Sequence, residues 1–99
     1  MAEITRAWLI RAQAALKAAI VQLQLQRNLG IEPPPRAVKA LVVGAFRSHG
    51  FDQQWQRSPR TVESVFVGRT KFERMKTRDG ALDLLLPALT NVEFALDRA

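Results

Sequence analysis

The chain has 99 residues, 15 Lys and Arg against 9 Asp and Glu, a net charge of +6 and no cysteine. One domain of this size buries about 65% of its extended-chain surface, so a single modest core is expected, and the absence of cysteine excludes a disulfide framework, a thiolate nucleophile and a thiolate metal site. The apolar runs, such as AAIV at 18–21 and LLLPAL at 84–89, fall short of the about 20 residues that span a bilayer, which predicts a soluble, cytoplasmic protein.

From Ala2 to about Leu29, Ile4, Trp8, Leu9, Ala12, Ala15, Leu16, Ala19, Ile20 and Leu23 recur at helical spacing, and Arg6, Gln13, Lys17 and Gln24 share the other face. The alanines favour helix, and Gly30 is a natural C-cap. The Ala-rich, Arg-containing start has the composition of a transit peptide, but an amphipathic first helix explains it. A helix of this length is about 40 Å long, longer than a compact domain of 99 residues needs. It is therefore expected to overhang, and its apolar residues Trp8, Leu23, Leu25 and Leu29 form a predicted homodimer interface.

EPPP at 32–35 forces extended backbone and ends any helix, yet Pro34 or Pro35 suits the first turn of the next one. Helix two is predicted from about Pro35 through Val38, Leu41, Val42, Ala45 and Phe46 to Gly50, followed by FDQQWQ as a turn capped by Asp52. Ser58-Pro59 starts a third helix. Were it unbroken to 77, Arg69 and Lys76 would point into the stripe of Val62, Val65, Phe66, Phe72 and Met75. A break at Gly68, with Thr70 and Glu73 as a capping box, gives helices at about 59–67 and 70–77.

Asp79-Gly80 is a hairpin signal, and a hairpin at 71–86 would make a winged helix. The helical spacing of Leu82, Leu85, Leu86 and Leu89 favours a helix capped by Asp79 instead, with Pro87 as a kink or stop and Thr90 with Glu93 opening a final turn to Leu96. The predicted fold is one all-α domain over 1–99: a small bundle of four or five helices with a long N-terminal helix.

No enzyme is predicted. His49 is the sole histidine and sits beside a helix-ending glycine, the carboxylates are dispersed, and no phosphate-binding glycine pattern occurs. Neither cofactor nor metal is expected. Charge is the informative signal: residues 57–78 hold Arg57, Arg60, Arg69, Lys71, Arg74, Lys76 and Arg78 against Glu63 and Glu73, just before an acidic tail. The helix opening at Ser58 presents Arg57, Ser58, Arg60 and Thr61 at its N-terminus, where a groove-reading helix meets bases and phosphates. The cations from Arg69 to Arg78 are scattered and suit unspecific phosphate contact. Trp55 beside them has the chemistry to stack on a base, although packing against helix two is the commoner fate of a tryptophan.

SPRTVE at 58–63 resembles the start of the recognition helix in LuxR-type DNA-binding domains, and PPRAVKAL at 34–41 resembles the helix that opens that domain. The resemblance covers part of the chain: FDQQWQR stands where that family has a further helix, and Gly68-Arg69 interrupts where it keeps an apolar one. It implies a small DNA-binding, regulatory or accessory protein. The alternative is a helical adaptor or small subunit whose basic face docks an acidic protein partner.

Overall fold

The computed structural model describes residues 5–51 and 75–98, which form three helices: α1 (Arg6–Asn28), α2 (Pro35–Ser48) and α3 (Arg78–Arg98). There is no strand among the described residues. Both α2 and α3 pack on α1. Both run antiparallel to it: Phe51, past the end of α2, meets Trp8 near the start of α1, whereas Arg78 opens α3 against Ile31, just past the end of α1.

The helix limits follow from local hydrogen bonds. Thr5 caps α1, its Oγ1 accepting from the Trp8 N–H at 3.1 Å. At the other end the Ile31 N–H donates to Gln26 O at 2.8 Å and the Gly30 N–H to Arg27 O at 3.1 Å, with Gly30 at φ 71°. This paired closure needs a left-handed residue, which glycine supplies without strain. The end of α2 repeats it through Phe51 N–H to Phe46 O and Gly50 N–H to Arg47 O, with Gly50 at φ 86°. Here the accompanying apolar contact is Phe46 against Phe51, their ring centroids 6.4 Å apart.

At 23 residues, α1 is about 35 Å long, within the longest extent of the molecule, 38 Å. α1 is thus shorter than the about 40 Å expected of it. Leu23 is completely buried in the core of its own chain, and Trp8 is half-buried and packs edge-on against Phe51 at 5.8 Å. Of the four residues expected at an interface, only Leu25 and Leu29 are exposed.

The region of the Asp79-Gly80 hairpin signal is helical. α3 runs unbroken for 21 residues, because Ala81, Leu82, Leu85, Ala88 and Val92 fall on one face and are all buried; burial at helical period outweighs the turn propensity of one dipeptide. This removes the winged-helix alternative over the described part of 71–86. The cap is Thr77 rather than Asp79, its Oγ1 accepting from the Gly80 N–H at 2.9 Å, while Asp79 sits in the first turn, where a carboxylate suits the helix dipole. Pro87 does not stop the helix. It and Asp83, whose carbonyl loses its intrahelical N–H partner, both lie on the exposed side of the helix. Thr90 opens no new helix; its hydroxyl donates to Leu86 O at 3.1 Å. The expected helix at 59–67 and most of that at 70–77 lie outside the described residues, and Met75 to Thr77 are not helical. Four or five helices were expected, and the described residues contain three.

The core joins Leu9, Leu16, Ile20 and Leu23 of α1 to Val38, Val42 and Phe46 of α2 and to Leu82, Leu85 and Val92 of α3, with Phe51 and Met75 beside them. Buried alanines, Ala12, Ala15 and Ala19 on α1 and Ala81 and Ala88 on α3, put only a methyl between backbone and neighbour, so the helices approach closely. Truncation separates core from surface: Leu23→Ala is expected to lower stability by about 2–5 kcal/mol, and Leu25→Ala in dilute solution by no more than about 0.5 kcal/mol. Denaturant unfolding followed by circular dichroism measures both, and equal losses would contradict the packing.

Candidate polyanion-binding surface

Arg57, Ser58, Arg60, Thr61, Arg69, Lys71 and Arg74 lie outside the described residues, as does Trp55. The two remaining residues of the expected set differ from each other. Lys76 is exposed. Arg78 is 8% exposed, its Nη1 donating to Ile31 O at 2.7 Å, its Nη2 to Glu32 Oε1 at 3.2 Å and its Nε to Asp79 Oδ1 at 3.2 Å. A guanidinium has no acceptor and five fixed donors, and here it spans the α1–α2 connector and the first turn of α3. Its chemistry is that of an internal tie, which leaves it poorly placed for a phosphate.

Further cations stand on the first two helices, outside the basic run of the sequence. α1 carries Arg6, Arg11, Lys17 and Arg27, α2 carries Arg36, Lys39 and Arg47, and neither contains a carboxylate. The nearby acids, Glu3, Glu32 and Asp52, all fall outside the two helices, so windows that included them diluted the signal. A tally by predicted helix shows it for α2 alone, since the predicted first helix, from Ala2, includes Glu3. α3 has the opposite character, with Asp79, Asp83, Glu93 and Asp97 against Arg78 and Arg98.

Arg6, Arg27, Arg36 and Arg47 are exposed. The antiparallel pairing places Arg6 with Arg47 at one end of the molecule and Arg27 with Arg36 at the other. Lys76 lies at this second end, because Arg78 ties the start of α3 to Ile31. Two further cations have partners within the fold. Arg11 lies over the Phe51 ring, 5.1 Å from its centroid, and Lys17 Nζ is 4.0 Å from Glu93 Oε2, which also accepts from Gln13 Nε2 at 3.2 Å. The Lys17 pair is solvent-exposed and contributes little to stability.

His49 occupies the C-cap of α2. Its Nδ1 is 2.8 Å from Ala45 O, which the Ser48 hydroxyl also reaches at 2.9 Å, so with its proton on Nδ1 the ring donates to a carbonyl that the helix end leaves short of partners. Among the described residues no group of three or more His, Cys, Asp or Glu could hold a metal ion, and no helix is long and apolar enough to cross a membrane. No family model, no curated protein and no solved structure matches the chain.

The internal tie and the exposed cations are separable by mutation. Arg78→Met, which keeps the apolar stem but leaves the Ile31 carbonyl without its charged donor, is expected to cost about 2–3 kcal/mol. Arg36→Ala and Arg47→Ala are expected to stay within about 0.5 kcal/mol. Thermal unfolding of the three variants provides the measurement, and a neutral Arg78→Met would mean that the connector does not depend on the guanidinium.

Proposed function

We propose that this is a small basic, non-enzymatic nucleic-acid-binding protein of the cytoplasm, with a regulatory or accessory role, binding DNA in preference to RNA. The observation that carries the reading is the segregation of charge: two adjoining helices bear cations and no carboxylate, while most of the acidic residues of the described part are gathered on α3. A surface of one sign attracts a polyanion and raises its rate of encounter. Eleven of the cationic residues are Arg, whose planar fork suits phosphate oxygens.

In this reading Arg6, Arg27, Arg36, Arg47 and Lys76 contact phosphate, together with Arg69, Lys71 and Arg74 from the segment before α3. Arg57, Ser58, Arg60 and Thr61 supply whatever sequence preference exists, as the local resemblance to a recognition helix implies. Arg78 is left out, since it is buried and all three of its nitrogens are engaged within the fold. The same cations would also serve an adaptor docking on an acidic protein; a nucleic acid is favoured because the exposed arginines stand at both ends of the molecule, a spread that suits the repeating charge of a phosphate backbone.

Fluorescence anisotropy with labelled duplex DNA, single-stranded DNA and RNA, titrated from low to physiological salt, tests the proposal. Each phosphate neutralised on duplex DNA contributes about −0.9 to the log–log salt slope, so a slope of several units is expected. It should be reduced by Arg36→Glu with Arg47→Glu and, separately, by Arg57→Glu with Arg60→Glu. Absence of binding to all three ligands at low salt would remove nucleic acid as the partner.

A further inference from the structure

We draw no further inference here: the strongest candidate, the exposed face of α2 on which Arg36 and Arg47 flank Ala40 and Gly44, repeats the phosphate contacts already proposed, and nothing in the structure shows what covers the small residues between them.

Discussion

A single guanidinium fixes the start of α3 to the end of α1. Taking Arg78 out of water is costly unless its donors find acceptors, and it finds them in the Ile31 carbonyl, Glu32 and Asp79. The carbonyl belongs to the turn that closes α1, and the Arg itself to the first turn of α3. The end of one helix and the start of another are therefore fixed to the same planar group, which admits little angular freedom. Glu32 remains solvated on its outer side, so the tie does not require a fully buried ion pair, whose desolvation would offset its attraction.

Around this tie the architecture is simple: α1 is the element on which both others rest, and the core is filled by its leucines and by small residues that let the helices close up. The cations of α1 and α2 and the carboxylates of α3 lie on different elements, and Gln13, Lys17 and Glu93 meet where α1 and α3 pack.

Most of the fold was legible where periodicity and capping agree. The stripe of α1, the prolines before α2 and the two closing glycines are local features, and each appears where the sequence places it. Expectations failed where a local signal competed with a long-range one. At Asp79-Gly80 the helical spacing of Leu82 and Leu85, preferred over the hairpin signal, is what the structure shows, but the capping residue is Thr77 and not Asp79. Pro87 and Thr90 carry stop and start signals, yet both are exposed on a helix whose buried side continues to pack. Leu23 was assigned to an interface because the length of α1 was overestimated at both ends. The sequence shows the charge of Arg78 and not the Ile31 carbonyl, 47 residues away, that its guanidinium meets. The proposed binding residues were legible only in part: the basic stretch before α3 is visible as a run, whereas the end-to-end placement of Arg6 with Arg47 and of Arg27 with Arg36 follows only from the antiparallel packing of α1 and α2.

The tie between Arg78 and Ile31 also has an entropic meaning. It joins residues 47 apart in sequence, whereas α1 and α2 meet across the short connector between Asn28 and Pro35. Chain entropy makes the near contact cheap to form and the distant one expensive. The α1–α2 pair is therefore the part of the fold that costs least chain entropy to close, and the packing of α3 on α1 the part that costs most.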